Sequence, residues 1–120
     1  MFPASLSLGP FIKMARKSAF PGTAGIAAVN GAVEALVNPL AVELASIRVN
    51  AVSPGFVVTP WWAGMPADAR QKFFTQTAQA LPVGRIADDI PHAVVLAATN
   101  LDTTGTIIDA DGGAQLVSMG

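Results

Sequence analysis

Cysteine and tyrosine are absent from this 120-residue sequence, and it contains one histidine, His92. Without cysteine the chain can form no disulfide framework, no thiolate zinc site and no cysteine nucleophile. A single histidine argues against a histidine-rich metal centre and against a Ser-His-Asp triad. Because His92 follows Asp88 and Asp89 in a short predicted helix, we expect it to be solvated or to act in capping rather than in catalysis.

Charge is also scarce. Charged residues make up 12% of the chain and hydrophobic residues 52%, whereas charged residues are about 25% of an average soluble domain. This composition excludes intrinsic disorder. The net charge of −1, with scattered basic residues, argues against a nucleic-acid partner. We expect one soluble domain over residues 1–120, with an apolar excess that contacts another chain.

Neither a membrane span nor a secretory signal is expected. The apolar stretch 24–44 is interrupted by polar residues and one proline, namely Asn30, Glu34, Asn38, Pro39 and Glu43, which argues against a span. The basic residues near the N-terminus follow the apolar part instead of preceding it, the reverse of a secretory signal. We therefore expect a cytoplasmic protein.

Helices and short β runs alternate along the chain, which is typical of an α/β unit. Apolar residues recur at helical spacing over 25–45, where Pro39 predicts a kink or a local break. Two shorter helices are predicted over 66–81 and 88–99, and strands over 47–52 and 106–109. Residues 1–20 are divergent, with a candidate strand within 6–14.

Four segments, in order, resemble the C-terminal half of short-chain dehydrogenases/reductases. They are GIAAVNGAVEALVNPLAVELA at 25–45, IRVNAVSPGFVVTP at 47–60, LPVGRIADDIPHAVVLAAT at 81–99 and TGTIIDADGG at 104–113. The resemblance covers residues 21–116. It implies a truncated, Rossmann-like, doubly wound α/β unit of about three parallel strands with flanking helices.

The catalytic residues of that family are not matched. The family uses a tyrosine as acid/base and a lysine four residues later, which lie on one helix face. The tyrosine position falls on Ile26 and the lysine position on Asn30, and the upstream serine should lie near Lys13 or Met14. We therefore assign no catalytic residue.

The resemblance implies a cofactor-binding segment at Pro54, Gly55, Val57 and Thr59, where backbone groups of Val57 would meet a nicotinamide carboxamide. The cofactor would be NAD or NADP. A glycine-rich phosphate-binding turn is not found in the sequence. We expect that this chain alone does not bind the cofactor, and that the Pro54–Gly55 turn has kept its shape without binding.

Trp61 and Trp62 stand where the family places its substrate-binding loop. They either cap a ligand cleft or anchor a protein contact, or they cover apolar surface. Asp109 and Asp111 flank the end of the last strand, where turn chemistry beside two glycines is a simpler explanation than a metal pair. No metal site is assigned.

Small residues on the 25–45 helix, Ala28, Gly31, Ala32 and Ala35, predict self-association, because this helix packs against its copy in the resembled family. We expect a homo-oligomer formed through this helix and the last strand. The leading hypothesis is a degenerate relative without independent redox activity, acting as an oligomerisation or interaction module, or a gene remnant. The alternative is an NAD(P)-dependent oxidoreductase of a carbonyl or alcohol substrate that a partner chain completes.

Overall fold

The computed structural model describes residues 5–8 and 22–117. Its elements are β1 Ser5–Leu8, α1 Ala24–Glu43, β2 Arg48–Pro54, α2 Ala67–Ala80, α3 Ile90–Thr99 and β3 Ile107–Ala110, with 3₁₀ helices at Pro60–Gly64 and Ala114–Leu116. The expected helices and strands are all present, with boundaries shifted by at most two residues where both ends are described. The candidate strand within 6–14 corresponds in part to β1, and positions 9–14 lie outside the described residues.

The three described strands form one parallel sheet in the order β1-β2-β3. Ser5 pairs with Arg48 on one side of β2, and Ala51 pairs with Ile107 on the other. All seven residues of β2 are buried, as expected for a central strand covered on both faces. The strand ends at Pro54, which has no N–H to donate to a neighbouring strand.

Helices α1 and α3 lie on opposite faces of β2. Asn30 of α1 lines a cavity together with Ala51 and Ser53, whereas the Arg48 side chain bonds a carbonyl of α3. Side chains alternate between the two faces of a strand, so residues 48 and 51 point in opposite directions. The expectation of a partial Rossmann-like α/β fold with parallel strands and flanking helices is confirmed.

Helix α1 continues through Pro39 without a break. Of the two predicted alternatives the local break is therefore wrong, and the kink stays a prediction. Pro39 and Ala35, whose carbonyl loses its usual N–H partner, are both exposed. Water can therefore satisfy that carbonyl, and the proline ring meets no neighbouring element. After Leu44 the chain turns through Ser46 at φ 82, and β2 begins at Arg48.

The described part of the chain has a small core. Val37 and Val49 are its largest fully buried side chains. Apolar side chains are widely exposed, including Val29, Leu36 and Val42 on α1. By length and composition α1 is also long and apolar enough to cross a membrane, a property that soluble helices share. The contact with β2 shows that one of its faces packs on the sheet.

Candidate functional site

The candidate site starts at the carboxyl end of β2, where Gly55 packs against the loop after β3. The Gly55 N–H donates to the Ala110 carbonyl at 3.2 Å. A Cβ at position 55 would lie 2.7 Å from the Asp111 Cα and 2.9 Å from its carbonyl oxygen. Only glycine permits this backbone approach, so packing of the fold alone accounts for the Pro54–Gly55 turn.

Val57 and Thr59 continue from this turn in extended backbone. Val57 forms a parallel bridge with Ala87, whose N–H donates to the Phe56 carbonyl at 3.2 Å. The Val57 carbonyl accepts a hydrogen bond of 2.9 Å from the Trp62 indole Nε1. One lone pair of the carbonyl expected to face a carboxamide is therefore engaged inside the chain. Thr59 is exposed and precedes the 3₁₀ helix Pro60–Gly64.

The structure separates the two neighbouring tryptophans. Trp62 packs in an aromatic cluster, with its ring centroid 5.2 Å from that of Phe73 and 5.8 Å from that of Phe74. Phe56, at 5.7 Å from Phe73, connects this cluster to the end of β2. Trp61 is 76% exposed. Trp62 thus covers apolar surface and packs against α2, whereas the indole ring of Trp61 is exposed to solvent. The substrate role of both residues stays a prediction.

On α1, Ile26 and Asn30 lie one turn apart but in different surroundings. Ile26 is 49% exposed, while Asn30 is 4% exposed and sits above β2. Neither side chain can act as an acid or a base near neutral pH. Lys13 and Met14, near the expected serine position, lie outside the described residues.

Asp111 serves the turn after β3. Its Oδ1 accepts from the Gly113 N–H at 2.9 Å and its Oδ2 from the Gln115 N–H at 3.4 Å. Asp109 accepts instead from the Gln115 side chain at 3.2 Å. This pattern agrees with the expected turn chemistry. Across residues 22–117 no cluster of three or more acidic or histidine residues could hold a metal ion.

A charged network lies at the start of α3. The Arg85 guanidinium bonds both Asp88 and Asp89, the latter at 2.7 Å. The hydrogen bond from Arg85 lowers the pKa of the Asp89 carboxyl below its ordinary value. The bonds to Asp89 and then Asp88 raise the pKa of Arg85. His92 is exposed, with its Nδ1 3.4 Å from Asp89. The expectation of a solvated His92 therefore agrees with its position.

Arg48 is the one charged residue of β2, and the sequence patterns above did not indicate its role. It is 8% exposed and donates to carbonyls at the end of α3 and in the following loop. A single charged residue inside a predicted β run was the available signal, because a buried guanidinium requires several acceptors.

By resemblance, the described residues would supply one side of a dinucleotide site. The turn at Pro54–Gly55 and the backbone of Val57 would form its wall, here called the candidate cofactor wall, and Thr59, which is exposed, would contribute a hydroxyl. A pyrophosphate, however, is usually held by a run of backbone N–H groups at a helix N-terminus. Helix α1 begins at Ala24, after Thr23, with no side-chain cap. Within the described residues the glycine pair after β3, Gly112 and Gly113, leads into the short 3₁₀ helix Ala114–Leu116 and not into an α-helix. These residues do not amount to a complete cofactor site.

Comparison with known proteins places these features in a family. A family model described as enoyl-(acyl carrier protein) reductase matches residues 12–115. The short-chain dehydrogenase/reductase ATR9 of Stachybotrys chlorohalonatus is 41% identical over 93 residues, which are 76% of this chain and 36% of ATR9. The short-chain dehydrogenase/reductase homolog YusR of Bacillus subtilis is 30% identical, over 97% of this chain and 98% of YusR.

Solved structures give the same result. A small-chain dehydrogenase crystallised in complex with NADPH is 44% identical, with a TM-score of 0.85 over 93% of this chain and 51% of that one. The chain therefore spans about half the length of this solved structure and about a third of ATR9.

Proposed function

Because the chain belongs to the short-chain dehydrogenase/reductase family, we propose that it is a degenerate member of that family without redox activity of its own, which acts as an oligomerisation or interaction module. The observation that carries this proposal is the pair Ile26 and Asn30 on α1. By resemblance these positions correspond to the tyrosine and lysine of the family. Isoleucine has no proton to transfer, and a neutral amide cannot lower the pKa of a neighbouring hydroxyl as a cation does.

The incomplete cofactor wall supports the same proposal. Relatives of this chain include a dehydrogenase solved with NADPH. A bound nicotinamide cofactor would supply hydride transfer, and Val57 and Thr59 would be the residues that contact it. The Val57 carbonyl already accepts from Trp62, and Asn30 brings no positive charge to a phosphate or ribose.

The outer face of α1 supports an interaction role. Its centre is built from Ala28, Ala32 and Ala35, all exposed. The larger apolar side chains Val29 and Leu36 are exposed beside them. Small residues along a helix allow a second helix to approach closely, and an apolar strip of this length is costly to leave in water. We propose that a second copy of this chain covers it.

Sedimentation equilibrium tests this assembly. Ala32→Arg places a charge at the centre of the exposed α1 face, and the matched control Ala80→Arg places the same charge at the end of the polar helix α2, where Ala80 is also exposed. We expect the wild-type protein and Ala80→Arg to form the same oligomer and Ala32→Arg to dissociate. A wild-type monomer at all concentrations would refute the assembly.

The absence of activity has its own test. We expect the double variant Ile26→Tyr/Asn30→Lys to show no oxidation of NADPH with carbonyl substrates, because the phosphate-binding part of the site is still missing. Measurable turnover would show that the two substitutions alone explain inactivity.

The second candidate function is an NAD(P)-dependent oxidoreductase completed by a partner chain. The feature that favours it is the segment Pro54, Gly55, Val57 and Thr59, which by resemblance corresponds to the part of the family's site that meets the nicotinamide. In that case addition of the partner would produce cofactor binding that neither chain has alone.

A further inference from the structure

A small cavity lies between α1 and β2, and Ser53, the residue before the Pro54–Gly55 turn, is part of its lining. Its volume is about 20 Å³. Asn30, Val33 and Glu34 line it from the helix, and Ala51, Ser53 and Ile107 line it from the sheet. A single water molecule needs about 10–15 Å³ of such space, so the cavity has room for one water.

One wall of this cavity carries an unsatisfied polar group. Ser53 is 5% exposed, and its Oγ is buried without any hydrogen-bond partner in the protein. A serine hydroxyl can donate one hydrogen bond and accept two. Buried hydroxyls nearly always find a partner, which is a protein group or an ordered water.

The chemistry of the lining decides between a dry and a hydrated cavity. Cavities that stay empty are lined by apolar groups alone. This one is bordered by the Ser53 hydroxyl and by the buried amide of Asn30, so polar groups of the sheet and of the helix face the same space. A water there would bond Ser53 and meet the first requirement for a buried water, namely polar partners on more than one side.

We propose that this cavity binds one long-lived water molecule, with Ser53 Oγ as its principal ligand. The water connects residue 53, which precedes the Pro54–Gly55 turn, to the buried side of α1 near Asn30. It thereby stabilises the position of α1 over the end of β2. This proposal does not depend on whether the chain has redox activity, because it concerns only the packing of α1 on the sheet.

Oxygen-17 relaxation dispersion of water tests the proposal, since it counts water molecules that exchange slowly with the solvent. We expect Ser53→Ala to lose one such water relative to the wild-type protein. The matched control is Thr75→Ala, which removes an exposed hydroxyl bonded to the Gln71 carbonyl, and it should keep the wild-type number. An equal number of slow waters in the wild-type protein and in Ser53→Ala would overturn the proposal.

The direction of the change in thermal midpoint gives a second, independent readout. If water satisfies Ser53, the Ser53→Ala variant loses a hydrogen bond and unfolds at a lower temperature. If no water binds the hydroxyl, the substitution removes a buried polar group that has no hydrogen-bond partner, and the midpoint rises. A lowered midpoint supports the bound water, and an unchanged or raised midpoint contradicts it.

Discussion

Arg48 joins the central strand to the C-terminal end of α3, and its replacement by methionine is the most informative test of this fold. Its Nη1 donates to the Ala97 carbonyl at 2.7 Å, and its Nη2 donates to the Ala98 carbonyl at 2.5 Å. These carbonyls belong to the last turn of α3, where no further helical N–H reaches them. A cation at this end also interacts favourably with the helix dipole.

The magnitude follows from opposing effects. A hydrogen bond that involves a charged group contributes roughly 1.5–3 kcal/mol, and a buried carbonyl left without a partner costs about 1–3 kcal/mol. Burial of the guanidinium offsets part of this gain, the more so because the Arg48 Nε has no partner. We expect Arg48→Met to lower the free energy of unfolding by about 3 kcal/mol, out of the roughly 5–15 kcal/mol typical of a folded domain.

Urea unfolding followed by tryptophan fluorescence measures this loss. Arg48→Lys keeps the charge but cannot reach both carbonyls with a planar fork, so we expect about half the loss. The matched control is Arg70→Met on α2, which should change stability by less than about 0.5 kcal/mol. A loss for Arg48→Met no larger than that of Arg70→Met would refute the role of Arg48.

Three further changes have defined outcomes. Gly55→Ala forces a Cβ into the Asp111 backbone and should cost about 2–3 kcal/mol, measured by urea unfolding. Ser46→Gly relieves a non-glycine residue at φ 82 and should raise the free energy of unfolding by about 0.5–1 kcal/mol. Because the hydrogen bond from Arg85 lowers the pKa of Asp89 from its ordinary 3.8, Asp89 contributes stability above that pH. This contribution is lost as the pH falls through the lower pKa of the folded state. In a series of unfolding midpoints measured against pH, Asp89→Asn should therefore lack the loss of stability that protonation of Asp89 causes.

Each of these variants has a matched control. Gly64→Ala adds a Cβ where nothing lies within 4 Å and should be nearly neutral. Ala45 does not share the positive φ of its neighbour Ser46, so Ala45→Gly should not raise the free energy of unfolding. Asp102→Asn removes an exposed carboxylate outside the Arg85 network and should keep the acid loss that Asp89 contributes. Equal effects in a variant and its control would contradict the corresponding physical reason.

Much of the fold could be predicted because its signals are local. The helical spacing of apolar residues over 25–45 and the β-branched run at 47–52 each specify one element. The break predicted at Pro39 is absent because helix propensity is a local property that takes no account of solvent exposure. Pro39 faces solvent, where water can replace the missing hydrogen bond.

At the candidate site, the sequence position of the Pro54–Gly55 turn was predictable, but the packing around it was not. The glycine at position 55 indicated a turn, yet its close approach to Asp111 depends on two loops that are distant in sequence. Trp61 and Trp62 are adjacent and chemically identical, and only the packing of Phe73 and Phe74 distinguishes them. The role of Arg48 required knowledge of where α3 ends in space, which no local pattern contains.

A fluorescence titration of the purified protein with NADPH and NADH tests most directly whether the chain lacks redox function of its own. Trp61 and Trp62 follow the candidate cofactor segment, so a bound nicotinamide would quench their emission. We predict no saturable change up to millimolar cofactor. Saturable binding at micromolar cofactor would contradict the expectation that this chain alone does not bind the cofactor, and it would show that Pro54, Gly55, Val57 and Thr59 form part of a working site.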